Sequence, residues 1–148
     1  MTEREQIRLD IKRQLNSYRE IDAERRQLLD ELQRLETLLD EPSSSNWDGM
    51  PHGTGIRNPV ENLVTKKLTL EQRYRTKLAE IVAAQETIEK LIEGLEPTER
   101  RLARFRYIDG LHWEDVCVRI GYSWKQTHRI HGKVLDKLVD DEMAKRNI

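Results

Sequence analysis

Toward the end of this 148-residue chain, the run Ser123-Trp124-Lys125-Gln126-Thr127-His128-Arg129-Ile130-His131-Gly132-Lys133 gathers side chains suited to hydrogen-bonding a nucleic acid. On a helix opening at Ser123, the residues Lys125, Gln126, His128, Arg129 and Lys133 face outward, while Thr127 and Ile130 turn toward a core. Lys and Arg can donate to guanine O6 and N7, and Gln can pair with adenine N6 and N7. A helix about 10–12 Å wide fits the major groove of B-DNA. Free amides at the positive helix N-terminus near Ser123 attract a phosphate. Trp124, in the exposed first turn, suits either a groove contact or a lid over the core, because indole is amphipathic. With Arg119 just upstream, the candidate DNA-binding set is Ser123, Trp124, Lys125, Gln126, His128, Arg129, Lys133 and Arg119.

Other chemistry finds little to work with. His128 and His131 are three apart on one helix, but a zinc site needs about four ligands and Cys117 is the single cysteine. No metal and no cofactor is expected. The Gly-rich stretch around Gly49 to Gly55 lacks the Gly-Lys-Ser/Thr ending of a phosphate-binding loop and follows no strand pattern. Neither a nucleophile with its base nor a pair of catalytic carboxylates has a workable spacing, so no enzymatic activity is expected. Trp113 reads as a packing residue. Of Arg100 and Arg101, one reads as a phosphate contact and the other as solvated helix face. The runs Arg25-Arg26, Lys66-Lys67 and Asp140-Asp141-Glu142 also read as solvated helix surface.

The candidate helix needs elements to hold it. Three short helical units are marked out by start and stop signals: Pro97 to Ile108 ending at Asp109-Gly110, Trp113 to Ile120 ending at Gly121, and Trp124 to about Leu138 opening with the capping box Ser123 to Gln126. The residues Leu102, Phe105, Ile108, Leu111, Val116, Ile120, Ile130, Val134 and Leu138 can close one small core if the last two helices cross steeply, as in a helix-turn-helix.

Upstream lies a different pattern. Ile7, Ile11, Gln14, Tyr18, Ile21, Arg25, Leu28, Leu32, Leu35 and Leu39 follow the four-three steps of a heptad seam, interrupted by Gln14 and Arg25. A second helix opens at Asn58-Pro59-Val60-Glu61 and carries Tyr74, Leu78, Ile81, Gln85, Ile88, Ile92 and Leu95 at similar steps. Between them, the Gly/Pro/Ser-rich segment at 41–58 reads as a connector, with Trp47 and Met50 available to tuck against the helices. An intramolecular antiparallel hairpin is the favoured pairing, and a homodimer the alternative.

The expected fold is therefore all-α: a long antiparallel helical hairpin, a coiled-coil stalk, over 1–95, followed by a small helix-turn-helix domain over 96–148. Charged and hydrophobic residues each make up 36% of the chain, a balance that suits an elongated helical protein better than one large core. Net charge is −1, but from Pro97 to Leu138 nine bases face five acids, giving about +4 there and about −5 elsewhere. A basic reader on an acidic stalk is the implied arrangement. The lone cysteine and an N-terminus without an apolar h-region point to the cytoplasm, and no apolar run is long enough to suggest a membrane partner.

The stretch from Leu95 to Leu135 resembles the promoter-reading C-terminal helix-turn-helix of bacterial sigma factors. It is more similar still to phage regulators of the ArpU and RinA type. The landmarks are Arg106-Tyr107, Asp109-Gly110-Leu111, Trp113-Glu114-Asp115, Ile120-Gly121-Tyr122-Ser123 and Arg129-Ile130-His131. His112 stands where that pattern commonly has a Ser or Thr cap. The passage from Met50 to Val60 is similar to small phage proteins with a helical hairpin before such a domain. The resemblance implies a phage or prophage DNA-binding transcriptional regulator of the late-gene activator type in a bacterial cytoplasm, with double-stranded DNA as partner and RNA polymerase as a second one. Two alternatives stand beside it: a small terminase subunit for DNA packaging, and a protein-only adaptor that binds RNA polymerase.

Overall fold

The computed structural model describes residues 1–40 and 59–147. Over these the chain is all-helical: α1 (Glu3–Asp40), α2 (Pro59–Ile92), α3 (Pro97–Ala103) continued by a π-helical turn (Arg104–Ile108), α4 (Trp113–Ile120) and α5 (Trp124–Arg146). The connector at 41–58, with Trp47, Met50 and the Asn58 cap, lies outside the described residues. No described helix is long and apolar enough to cross a membrane. At the start of α1, Thr2 Oγ1 accepts the Glu5 amide while the Glu5 carboxylate accepts the Thr2 amide, a reciprocal cap that satisfies two orphan donors.

The chain forms two compact units, Asp22–Ala79 and Met1–Ile21 together with the chain from Glu80 onward. In the first, Leu32, Leu35 and Leu70 are buried, with Leu28, Leu63 and Tyr74 packed around them. Cross-pairs run in opposite directions along the two helices: Glu24 with Lys77 at 2.6 Å, Arg25 with the Tyr74 hydroxyl at 3.4 Å, and Glu36 with Lys67 at 3.9 Å. α1 and α2 are therefore antiparallel here. Arg25, a polar residue on the expected seam, is satisfied in place. Its guanidinium donates to Asp22 at 2.8 Å and to Tyr74, and these bonds raise its pKa above the ordinary arginine value.

In the second unit, Ile7, Ile11 and Leu15 of α1 share one core with Ile88, Ile92 and Leu95 and with Ala103, Tyr107, Val134, Leu135, Leu138 and Val139. Leu102, Val116 and Ile120 form a separate cluster with Phe105, Leu111 and Trp113, and Ile130 packs against both. The single small core expected from the sequence is thus two. Its Val134 and Leu138 belong with the ends of the long helices, so the compact units do not divide at 95/96.

Three further expectations shift by small amounts. Leu15, fully buried, occupies the seam position assigned to Gln14, which is exposed, because a second four-residue step keeps an apolar side chain in the core. On α2 the position next to Tyr74 is taken by Lys77, whose ammonium reaches Glu24, while Leu78 stays on the surface. α5 continues two turns past Leu138, because Val139 goes on burying apolar area and Asp140 pairs with Arg4 of α1 at 2.7 Å.

These placements predict that Leu15→Ala lowers unfolding free energy by about 2–5 kcal/mol, whereas Gln14→Ala stays within about 0.5 kcal/mol of wild type. Urea unfolding of the two variants checks this, and a larger loss from Gln14→Ala would reinstate the strict heptad.

Candidate nucleic-acid interface

The turn between α4 and α5 is set by three residues. Gly121 takes the left-handed conformation at φ 81°, where a Cβ would be strained, and its amide and that of Tyr122 both donate to the Cys117 carbonyl. Ser123, in extended backbone, then caps α5 by accepting the Gln126 amide on Oγ at 3.2 Å. His112 performs the equivalent backbone role for α4, extended at φ −65° and ψ 153°, without a side-chain cap bond. α4 starts at Trp113 all the same, since the His112 carbonyl accepts the Val116 amide at 3.0 Å.

α5 is amphipathic in its first three turns. Thr127 and Val134 are fully buried and Ile130 is partly so; Lys125, Gln126, Arg129 and Lys133 are exposed. Lys125, Arg129 and Lys133 recur every four residues, so they line one edge over about 12 Å of axis at 1.5 Å per residue. Arg119, also exposed, comes from the last turn of α4. Among the described residues, no carboxylate lies within 4.0 Å of any of these four cations. The acids of α5 sit further along, where Asp136 and Asp140 meet the arginines of α1. The helix therefore separates an uncompensated cationic first half from a neutralised second half.

Two of the expected site residues are placed differently from the rest. His128 is wedged between Trp124 and Trp113, with ring centroids 4.3 and 4.7 Å away, and its Nε2 is out of contact with solvent. The residue is half-buried, and its ring packs against both indoles. Trp124 keeps 54% of its surface exposed while resting on His128, so it covers that ring and still presents indole outward.

The rings continue inward. Trp113 also lies 4.6 Å from His131, and the buried Tyr107 hydroxyl shares a hydrogen bond with His131 Nε2 at 2.5 Å. Burial pushes the Tyr107 hydroxyl up to about 12 and lowers His131 to about 4, the latter helped by electrostatic interaction with His128, Arg106, Lys12 and Arg8. His131 is therefore neutral near neutral pH. Arg106 spans the loop before α4, donating to the Leu111 carbonyl at 2.9 Å and lying 4.8 Å from the Trp113 ring; burial and nearby Arg19 lower its pKa. The π-helical turn makes this possible. With Asp109 N bonded to Arg104 O, five residues back, Phe105 faces the α4 cluster while Tyr107 faces the core shared with α1.

Sequence reading picks out Arg106, Tyr107 and His131 as landmarks without assigning them a role. The available signal was the spacing Trp124, His128, His131, which places three rings along one side of a helix. No group of three His, Cys, Asp or Glu that could hold a metal occurs among the described residues.

The lowered pKa of His131 makes a pH prediction. Above about 6.5, His131 is neutral in folded and unfolded chains alike and contributes no slope. As pH falls from there toward about 4, the unfolded chain takes up the proton first, so the stability owed to the neutral ring is progressively lost. Urea unfolding between pH 7 and 5 should show this decline in wild type. It should be reduced in His131→Gln, which retains an acceptor and does not titrate; identical slopes would show that the imidazole is free to protonate in the fold.

Comparison of the chain with protein-family models, with curated proteins and with solved structures finds no match.

Proposed function

We propose that this chain is a sequence-specific DNA-binding transcriptional regulator, of the phage late-gene activator type suggested by its resemblance to ArpU- and RinA-like proteins, and that α5 enters the major groove. The observation that carries the reading is the edge of Lys125, Arg129 and Lys133 beside Gln126, exposed and without carboxylate partners among the described residues, on a helix whose opposite side is buried. Unpaired cations on a protruding helix raise the local potential, and duplex phosphates are the polyanion that such an edge fits. Base reading falls to Lys125, Gln126 and Arg129, which occupy the first two turns; Arg119 and Lys133 serve as phosphate contacts. Ser123 holds the turn, and Trp124 supplies apolar contact at the groove edge. His128 drops out as a base reader and instead sets the angle of Trp124.

Removing a base-reading side chain in Lys125→Ala or Arg129→Ala costs roughly 1–3 kcal/mol of specific affinity, whereas removing a phosphate-binding one in Lys133→Ala weakens binding to all sequences and reduces the salt slope by about 1. Titrations of a fragment selected from genomic DNA, at two or more salt concentrations, separate these. Unchanged binding by both Lys125→Ala and Arg129→Ala would remove α5 as the reading helix.

A further inference from the structure

α2 carries a second seam besides the one it buries against α1. Val64, Leu68, Glu71, Arg75 and Leu78 follow steps of four, three, four and three, each one residue past the inner positions Leu63, Lys67, Leu70, Tyr74 and Lys77. One residue is a rotation of about 100°, so this seam lies on a neighbouring side of the same helix. Its apolar members are left open to solvent: Val64 is 43% exposed, Leu68 61% and Leu78 40%.

The order of residues along this seam is symmetric. Counting outward from Arg73, the seam reads Glu71 against Arg75, then Leu68 against Leu78. An antiparallel pair of identical helices places such equidistant residues opposite one another. Leucine then meets leucine, and carboxylate meets guanidinium twice about the two-fold axis. In a parallel pair Glu71 would meet Glu71 and Arg75 would meet Arg75, which is repulsive. Arg75 makes no ion pair among the described residues, and Glu71 has only a loose contact with Lys67 at 4.0 Å.

The flank of the seam away from α1 is equally suited to contact. Thr65, Thr69, Gln72, Thr76 and Ala79 are exposed yet uncharged, in a chain that is 36% charged. The Thr69 and Thr76 hydroxyls already donate to the Thr65 and Gln72 carbonyls at 3.1 Å, so what they offer outward is a methyl group. A surface meant only for water has no need of this arrangement.

We propose that the outer seam of α2 is a self-association surface on which a second copy of this chain docks antiparallel, with Glu71 and Arg75 setting the register. The partner is committed by charge: the seam is complementary to its own reverse. Self-association of this kind is independent of DNA binding and is measured without nucleic acid.

Sedimentation equilibrium of the full chain should give twice its 17.6 kDa at micromolar concentration. Glu71→Arg or Arg75→Glu alone sets like charges against each other in two places and should weaken the dimer about tenfold or more. The double swap restores complementarity and should return affinity to within about threefold of wild type. Leu68→Lys should give monomer with unchanged helical circular dichroism. A wild-type chain that stays monomeric at high concentration, or a dimer indifferent to both single swaps, overturns the proposal.

Discussion

The orientation of α5 about its own axis is the constraint on which the rest of the described site depends. Thr127, Ile130, Val134 and Leu138 lie along one side, and that side is committed to two clusters at once: Ile130 joins both, while Val134 and Leu138 join the ends of α1 and α2. Turning the helix by one residue would bring Lys133 toward the place of Val134, and an unpaired ammonium in that core costs several kcal/mol. Outward presentation of Lys125, Arg129 and Lys133 thus follows from burial of their neighbours. The long helices contribute directly, because Ile7, Ile11, Leu15, Ile88 and Ile92 supply much of the surface on which the far half of α5 rests.

A second layer of control comes from the aromatic series. Tyr107, His131, Trp113, His128 and Trp124 connect the inner core to the first turn of α5 through ring contacts of 4.3 to 5.9 Å. Planar rings have few torsions to freeze, so such a series fixes an exposed helix end at modest entropic cost. Its polar atoms are used sparingly: Tyr107 and His131 share one hydrogen bond, and Arg106 ties the loop through Leu111. A charged His131 would add repulsion toward Arg106, Lys12 and Arg8, so neutrality of that ring and a cationic outer face are compatible.

Much of this was legible in the sequence because the signals were local. Gly121 and Ser123 are punctuation whose meaning depends on backbone conformation alone, and the structure uses both in that sense. The helix edges at Trp113, Ile120 and Trp124 follow. What was less legible depends on contacts between distant segments. Gln14 and Leu15 are adjacent and both compatible with a helix, so only the partner surface decides which is buried. Leu138 suggested an end to α5, but Asp140 beyond it acquires meaning from Arg4, more than a hundred residues away in sequence. His128 looked like a donor on an open face, and two tryptophans from different helices cover it.

α2 shows the same limit from the other side. Periodicity alone cannot choose between Leu78 and Lys77 as the residue facing α1, since leucine is the more apolar and lysine fits only because Glu24 awaits it. Once Lys77 is placed inward, Leu78 is displaced to the surface together with Val64 and Leu68, and the helix has two contiguous apolar sides rather than one. A lone hairpin needs a single buried stripe per helix. Exposed leucine and valine recurring at heptad spacing, interrupted by one acid and one base at mirror-related positions, is the pattern on which the proposed antiparallel self-association rests.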